Sequence, residues 1–238
     1  MLIGGDDGGK RAGPGRFVSI EGIDGSGKST VARQLAGRIR QSGRRALLLD
    51  RSTATESVAG SVADHLARLR SLIWECPPTA RTSQLGFEHW RHVLLAWFHA
   101  VDHVTVRPAL ADGTWVVADS WFYKYAARFA LTCGLADAEQ CFRGISVPSA
   151  VFWLDVDPVV CARRRASHRP TERGEWLGLD GSEQAFVDYQ RRVREVYVRL
   201  AGTHHWSSID PDDVEAAVGR SCARRFGSVS DLDPHRGD

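Results

Sequence analysis

The sequence predicts an α/β fold, in which a mostly parallel five-stranded sheet is flanked by helices in three layers. Short apolar segments rich in β-branched and aromatic residues alternate along the chain with longer segments of helical periodicity, which is the order of βα units. The composition, with 238 residues of which 43% are hydrophobic and 25% charged, is that of one globular domain with a sizeable core.

Five short apolar segments are the predicted strands. They are RFVSIEG (16–22), RALLLD (45–50), TWVVADS (114–120), AVFWLDVD (150–157) and the weaker HHWSSID (204–210). The middle three are apolar enough for burial on both faces, as is typical of parallel strands. Ligands of such sheets bind at the carboxyl ends of the strands, so we expect a site near Gly22, Asp50, Asp119 and Asp155.

Helical segments connect the predicted strands. The first begins near Lys28, has apolar Val31, Leu35 and Ile39 at four-residue spacing, and has Gly43 as a candidate C-cap. Further helices are predicted at residues 56–74, 84–110, 158–166 and 183–201, and a last one from about Pro211 with Asp210 as its N-cap.

The chain ends and the charge narrow the functional classes. Residues 1–15 are Gly-rich and polar and residues 227–238 are similar, so we expect a disordered leader and tail around a domain at 16–226. There is no apolar segment of a secretory signal, and no apolar run approaches the ~18 residues of a membrane span. The net charge of +2 gives no reason to expect nucleic acid or membrane binding. A cytoplasmic protein is expected.

One motif indicates nucleotide chemistry. Residues 22–29, GIDGSGKS, fit the phosphate-binding pattern GxxxxGK[ST] between an apolar strand and an amphipathic helix, and therefore predict a P-loop NTPase fold. Its glycines let backbone N–H groups surround a phosphate, and the helix N-terminus favours the same anion. Lys28 would reach the β- and γ-phosphates of ATP, Ser29 would bind Mg²⁺ and Thr30 the α-phosphate. The candidate ATP-binding residues are Gly22, Asp24, Gly25, Ser26, Gly27, Lys28, Ser29, Thr30 and Arg163.

Two further features fit this chemistry. Asp119 ends the third predicted strand, where a carboxylate can hold Mg²⁺ or, alternatively, cap the next helix. The run RRRASHRPTERGE (163–175) follows the fourth strand and carries five arginines. It is either a solvated basic loop or a mobile lid, at about 163–182, that closes over a triphosphate. As a lid it would bring Arg164 and Arg169 to the transferring phosphate, beside Lys28 and Asp119 as candidate catalytic residues.

Aromatic residues surround Asp119 in the sequence. Trp115 is expected in the core, whereas Trp121 and its successors either pack or wall a pocket. Trp97 and Phe98, in the helix before the third strand, have the same two interpretations.

The chain resembles the thymidylate kinase family of P-loop nucleoside monophosphate kinases over about residues 16–220. The resemblance is sharpest in FVSIEGIDGSGKST, and it extends through VRPALADGTWVVAD, AVFWLDVDPVVCARRR and FVDYQRRVREVY. It implies that Lys28 and Ser29 hold ATP and Mg²⁺, that Asp24 approaches the 3′-hydroxyl of the acceptor sugar, and that Arg51 binds the acceptor phosphate.

The resemblance also implies roles for the lid. Gly25 leaves no basic side chain in the phosphate loop, and in the family that pattern accompanies arginines delivered by the lid, for which the candidates here are Arg163, Arg164, Arg165, Arg169 and Arg173. The adenine would lie near the lid entry and the turn around Asp210. A homodimer through the long helices is implied as well.

The acceptor side departs from the family pattern. The family's Asp-Arg-aromatic motif reads Asp119-Ser120-Trp121, so the arginine that clamps both phosphates is missing, although Lys124 or Arg128 could restore the charge. The arginine for the thymine carbonyl falls on Phe98 or, in a shifted register, on Asp102. STATESVAG replaces the Glu-Pro-Gly-Gly stretch after Arg51. We therefore expect that dTMP is not the preferred acceptor. The candidate acceptor-binding residues are Asp24, Asp50, Arg51, Trp97, Phe98, Ser120, Trp121 and Lys124.

Three functions stay open at this point. The first is an ATP-dependent kinase of a nucleotide or nucleotide-like acceptor. The second is a kinase of a free nucleoside or another hydroxyl compound, which needs a general base, with Asp50 as first candidate and Glu56 as second. The third is an ATP-binding protein without transfer activity.

Overall fold

The structure is a computed structural model that describes residues 15–75, 82–164, 167–179 and 182–209. In these residues five strands form one sheet in the order β2-β3-β1-β4-β5, and all neighbouring strands are parallel. The strands are β1 (Phe17–Gly22), β2 (Ala46–Leu49), β3 (Trp115–Asp119), β4 (Ala150–Leu154) and β5 (Ser207–Ile209). The predicted fold class is confirmed, and each observed strand lies within a predicted segment.

The centre of the sheet is also the centre of the core. All six residues of β1 and all five of β4 are buried, because helices cover both faces of the sheet there. Side chains alternate between the two faces of a strand, so Ser19 and Glu21 of β1 share one face. Both are fully buried, and they are the polar members of an otherwise apolar strand interior.

Helices connect consecutive strands and flank the sheet. In the part of the chain that the structure describes they are α1 (Lys28–Gln41), α2 (Thr53–Glu56), α3 (Gly60–Trp74), α4 (Thr82–Val101), α5 (Arg107–Ala111), α6 (Tyr123–Cys133), α7 (Leu135–Cys141), α8 (Pro158–Arg163) and α9 (Glu183–His204). Helix α1 packs on β1, β2 and β3, and α6 packs on β1 and on α9. One-turn 3₁₀ segments lie at Pro170–Glu172 and Glu175–Leu177.

The helix predicted at 56–74 begins later, as α3 at Gly60, and the short α2 precedes it. The helix predicted at 84–110 is interrupted twice, at Gly86, which has non-helical φ and ψ of 78° and 162°, and by the π-helical turn at Asp102–Val106 between α4 and α5. Pro108 explains the second interruption, because it lacks the N–H that would donate to the carbonyl of Val104 in a regular helix.

No bounds are predicted from the sequence for α6 and α7. Helix α6 is amphipathic, but its cationic face, with Lys124 and Arg128 one turn apart, is buried against Asp24 and does not face solvent.

Some predictions fall outside the described residues. These are the leader at residues 1–14, the tail, Asp210 and the helix from Pro211. Among the residues that are described, no helix has the length and apolar character needed to cross a membrane.

Candidate active site

A cavity of about 550 Å³ lies at the carboxyl ends of β1, β2 and β3. The phosphate loop after β1, Asp50 and Arg51 after β2, and Asp119 at the end of β3 all line it, as the strand order predicts. Asp155, which follows β4, is not among the lining residues, and its carboxylate accepts two hydrogen bonds from Arg194, at 2.6 and 2.8 Å. Of the four predicted strand ends, Asp50 and Asp119 therefore line the cavity, whereas Gly22 does not, although the phosphate loop that follows it does. Ser26, a predicted ATP-binding residue, is not among the lining residues either.

The phosphate loop depends on glycines with positive φ. Gly25 and Gly27 have φ of 85° and 100°, a region that other residues rarely adopt. A Cβ at Gly25 would lie 2.9 Å from the carbonyl oxygen of Cys161 in α8. The close approach of α8 thus explains, in steric terms, why this loop position carries no basic side chain.

Lys28 is buried at the N-terminus of α1. Its Nζ donates a hydrogen bond to the carbonyl oxygen of Ile23 at 2.6 Å, within the loop itself. Burial and the charge of Lys124 lower the pKa of Lys28 to about 8, although nearby carboxylates, including Asp24 and Asp119, oppose this shift. A phosphate in the loop would give the ammonium group an anionic partner in place of a carbonyl, so the site fits the β- and γ-phosphates of ATP.

The cavity also has side chains that suit a bound metal ion. Ser29 and Asp119 both line the cavity. No three His, Cys, Asp or Glu side chains are grouped as a metal cage within the described ranges. Mg²⁺ usually takes one or two protein oxygens and completes its shell with phosphates and water, so a site made of one hydroxyl and one carboxylate suits Mg²⁺ bound with ATP.

Asp24 forms a buried cluster that the sequence reading did not foresee. Its Oδ1 accepts a hydrogen bond from Lys124 Nζ at 2.5 Å, and its Oδ2 accepts from Arg128 at 2.6 Å and from Gln190 Nε2 at 3.2 Å. Burial alone would raise the pKa of Asp24, but the charges of Lys124, Arg128 and Lys28 outweigh it and hold that pKa well below its usual range. In this state side chains of the protein already occupy both carboxylate oxygens that were predicted to approach an acceptor hydroxyl.

A second buried acid, Glu21, fixes the turn after β3. Its carboxylate accepts hydrogen bonds from the backbone N–H of Trp121 (2.7 Å) and from the hydroxyls of Ser19 (2.6 Å), Ser120 (3.0 Å) and Tyr197 (3.1 Å). Burial raises the pKa of Glu21, and the hydrogen bonds oppose that rise. An acid inside the apolar run FVSIEG was a signal for such a structural role, and the sequence reading missed it.

Ser120 lies where the resemblance places a clamp arginine. It has a left-handed φ of 68°, and its hydroxyl donates to Glu21. Its side chain contributes no positive charge to the cavity that it lines. The cationic side chains that line this part of the cavity are instead Arg51, which lies 4.7 Å from the ring centroid of Trp74, and Lys124.

Asp50, the candidate base, has a structural partner. Its Oδ1 accepts hydrogen bonds from the backbone N–H groups of Ser52 (2.8 Å) and Thr53 (2.9 Å), at the start of α2. The carboxylate therefore stabilises the first turn of that helix, in the manner of an N-terminal cap.

Aromatic side chains form part of the cavity wall. Trp97, Phe98 and Trp121 are all at most 4% exposed, yet each lines the cavity. The rings of Phe98 and Trp121 meet edge to face at 5.1 Å, and the indole N–H of Trp121 donates to the carbonyl of Ser146. These three side chains therefore pack in the core and line the cavity at the same time.

The sequence offers two positions for the arginine that would contact the thymine carbonyl. Phe98 lines the cavity, whereas Asp102 does not line it and accepts a hydrogen bond from Arg107.

Described residues of the predicted lid contact the phosphate loop and line the cavity. Arg164 and Arg169 line the cavity, and an Arg164 nitrogen lies 3.5 Å from the carbonyl oxygen of Ser26. Arg163 is exposed and is not among the lining residues, and neither is Arg173. Gln190 of α9 connects the lid to the loop, since it donates to the carbonyl of Glu172 as well as to Asp24. Arg165 lies outside the described residues.

Comparison with known proteins identifies the family of the chain. The sequence pattern of the family described as Thymidylate kinase matches residues 20–219. A thymidylate kinase of Jannaschia sp. is 32% identical over 224 residues, which cover 91% of this chain and 100% of the relative. The thymidylate kinases of Thiobacillus denitrificans and Shewanella frigidimarina are each 29% identical, over 89% and 79% of this chain and 96% and 80% of their own lengths.

Proposed function

Because the chain belongs to the thymidylate kinase family and is therefore an ATP-dependent nucleotide kinase, we propose that it transfers the γ-phosphate of ATP to a nucleotide-like phosphate ester other than dTMP. The observation that carries the proposal is the lining of the acceptor side of the cavity. It presents aromatic rings and Ser120 where the family pattern has two arginines.

The donor side supports phosphoryl transfer. In this reaction an oxygen of the acceptor phosphate bonds to the γ-phosphorus while the bond from that phosphorus to the β,γ-bridging oxygen breaks, and ADP leaves. Lys28 and the loop N–H groups would position the β- and γ-phosphates, and Arg164 and Arg169 would stabilise the charge that spreads over the γ-phosphoryl group. Ser29 and Asp119 would hold Mg²⁺, which supplies further charge neutralisation when bound.

The acceptor side argues against dTMP. A thymine carbonyl would meet Phe98 and its ring neighbours, and Trp121 already donates its indole N–H to Ser146. A polar ligand group that loses its hydrogen-bond partner on binding costs about 1–3 kcal/mol. This corresponds to a loss of roughly tenfold to a hundredfold in kcat/KM for that contact alone. An acceptor with a less polar or differently substituted ring would bind without this loss of free energy.

The two other functions are less consistent with the contacts. A kinase of a free hydroxyl needs a general base, but Asp50 Oδ1 accepts from the N–H groups of Ser52 and Thr53, and both oxygens of Asp24 accept from side-chain donors. A phosphate acceptor needs no base. An ATP-binding protein without transfer activity would not need two lid arginines at the cavity.

An ADP-release assay over a panel of acceptors tests the proposal. The panel contains dTMP, other nucleoside monophosphates, base-modified deoxynucleotides, free nucleosides and hydroxylated metabolites. We expect a phosphate ester other than dTMP to have the highest kcat/KM, and Lys28→Ala to abolish turnover with every acceptor. If dTMP is best, with an efficiency typical of metabolic enzymes, the chain is an ordinary thymidylate kinase. If a free nucleoside is best, the phosphate acceptor is wrong.

We also propose a cytoplasmic homodimer. Helix α3 buries only Leu66 of its 15 residues, and its Val62 and Leu72 are each 42% exposed, so it offers an apolar surface to a second copy. Sedimentation equilibrium should give about twice the 26.3 kDa of the chain, and Leu72→Asp should shift the species towards monomer. A monomer at all concentrations would contradict this proposal.

A further inference from the structure

The acceptor side lacks a cation at Ser120 but has an unusual one nearby. Lys124 lies in the first turn of α6, one turn beyond Ser120, and its side chain is only 11% exposed. It nevertheless lines the cavity, whereas Arg128, one turn further along the same helix, does not. Of the two cations on Asp24, only Lys124 can therefore contact a molecule in the cavity.

The buried cluster carries more positive than negative charge. Asp24 contributes one negative charge, and Lys124 and Arg128 contribute two positive ones. Arg128 and Gln190 both bind Oδ2 of Asp24, so the carboxylate would keep two partners, one of them cationic, if Lys124 moved away. The cluster can therefore release Lys124 to an anion without leaving a buried acid unpaired.

Lys124 also lies between two other cations of the same cavity. Its charge acts on Lys28, the donor-phosphate residue, and the charge of Arg51 acts on Lys124. Three cations that repel one another around one cavity are stabilised together when an anion with several charges binds between them. A chain of phosphates that runs from donor to acceptor is such an anion.

We propose that Lys124 supplies the cation between donor and acceptor phosphates that Ser120 does not provide, and that it does so by exchanging Asp24 for phosphate when both substrates bind. This inference rests on the proposed function, because it requires an acceptor phosphate in the cavity. It identifies Lys124 as a substrate-binding residue and Arg128 as the residue that keeps Asp24 paired during the exchange.

Adenosine 5′-pentaphosphate is a suitable probe, because its two phosphates beyond the γ-position reach the acceptor side and it carries no acceptor base. Its affinity and that of ATP, both with Mg²⁺, are measured by calorimetry on the full chain. The wild type should bind the pentaphosphate more tightly than ATP. Lys124→Met should weaken the pentaphosphate on the order of tenfold to a hundredfold, the effect of losing one charge-assisted contact, and change ATP binding by less than about threefold.

Two further variants separate charge from structure. Arg128→Met leaves Lys124 as the only cation among the described residues that is hydrogen-bonded to Asp24, so it should hinder the exchange and also weaken the pentaphosphate, while ATP binding changes by less than about threefold. Ser120→Arg in the Lys124→Met background places a cation where the family has one and should recover most of the lost affinity. A lysine that only stabilises the fold would not be replaced by that arginine.

Three results of these binding measurements would contradict the role of Lys124. If Lys124→Met binds the pentaphosphate as the wild type does, Lys124 has no phosphate role, while the proposed function stands. If ATP and pentaphosphate weaken equally, Lys124 acts through the phosphate loop and the proposal is wrong. If the wild type itself binds the pentaphosphate no more tightly than ATP, the acceptor side takes no phosphate, and the proposed function is overturned together with this inference.

Discussion

Replacement of Lys28 by methionine should remove ATP binding and at the same time stabilise the fold. Lys28 is 8% exposed, and burial with the charge of Lys124 lowers its pKa from 10.5 to about 8. At 1.36 kcal/mol per pKa unit, the buried charge costs up to about 3 kcal/mol at pH 7. The variant loses the hydrogen bond to the carbonyl of Ile23, worth about 1 kcal/mol, although that carbonyl still accepts from the N–H of Ser26. The free energy of unfolding should therefore rise by about 2 kcal/mol.

The pH dependence of the stability difference between the wild type and Lys28→Met follows from the same pKa of Lys28. The folded protein releases the Lys28 proton from about pH 8, whereas the unfolded chain keeps it up to about pH 10.5. Between these values the unfolded state binds more protons, so the stability of the wild type rises with pH relative to the variant. The advantage of Lys28→Met should thus be largest at pH 7 and should shrink from pH 8 upwards.

Urea unfolding of both proteins at pH 7, 8 and 9 measures this difference, and calorimetry with Mg²⁺ and ATP measures binding. Arg33→Met on the exposed side of α1 is the matched control, and it should change stability by less than about 0.5 kcal/mol at every pH. A Lys28→Met protein that is less stable at pH 7, or whose advantage does not change with pH, would show that burial of this charge is not costly. A folded variant with wild-type turnover would refute the phosphate-loop assignment.

Two further predictions concern the lid and the second buried acid. Hydrogen exchange over residues 167–179 should slow when Mg²⁺ and adenosine 5′-pentaphosphate are added, because Arg169 lines the cavity and gains an anionic partner there. Equal exchange with and without the pentaphosphate would contradict a lid. Glu21→Ala should lower the free energy of unfolding by about 3 kcal/mol or more, since four donors, three of them buried, lose their acceptor. Glu21→Gln should lose much less in the same unfolding experiment, because its amide can pair with N–H and hydroxyl groups alike, and an equal loss would show that the negative charge itself is required.

The strands and the phosphate loop could be predicted because their signals are local. β1, β3 and β4 are continuous apolar runs, and the loop between β1 and α1 needs glycines at fixed positions. α6 was not predicted although its residues have a helical period, because its two cations, Lys124 and Arg128, are buried against Asp24, a contact that only the folded chain creates. The division of the helix before β3 depends on a single proline, Pro108, whose effect on an otherwise helical segment is a local change of hydrogen bonding.

The candidate site shows the same division between local and distant information. Lys28, Ser29 and Asp119 follow from motif and strand position and do line the cavity. The partners of Asp24 are 100, 104 and 166 residues away in the chain, so no spacing rule connects them. Gln190 was missed for this reason, whereas Glu21 had a local signal, an acid inside an apolar strand, and its partners Trp121 and Tyr197 depend on distant elements.

The charges of the cavity explain how it can bind several phosphates although its formal charge is nearly balanced. Five cationic side chains line it, Lys28, Arg51, Lys124, Arg164 and Arg169, against four carboxylates, Asp24, Asp50, Asp119 and Glu172. Three of these acids have partners within the protein. Asp24 is paired by Arg128 from outside the cavity, Asp50 accepts N–H groups of α2, and Glu172 accepts the backbone N–H of Arg169. Asp119 is the acid left to a metal ion, so the cations are available to phosphate. On the proposed function, a serine at residue 120 would change which side chain contacts the acceptor phosphate, and the cavity would keep the positive charge that phosphoryl transfer requires.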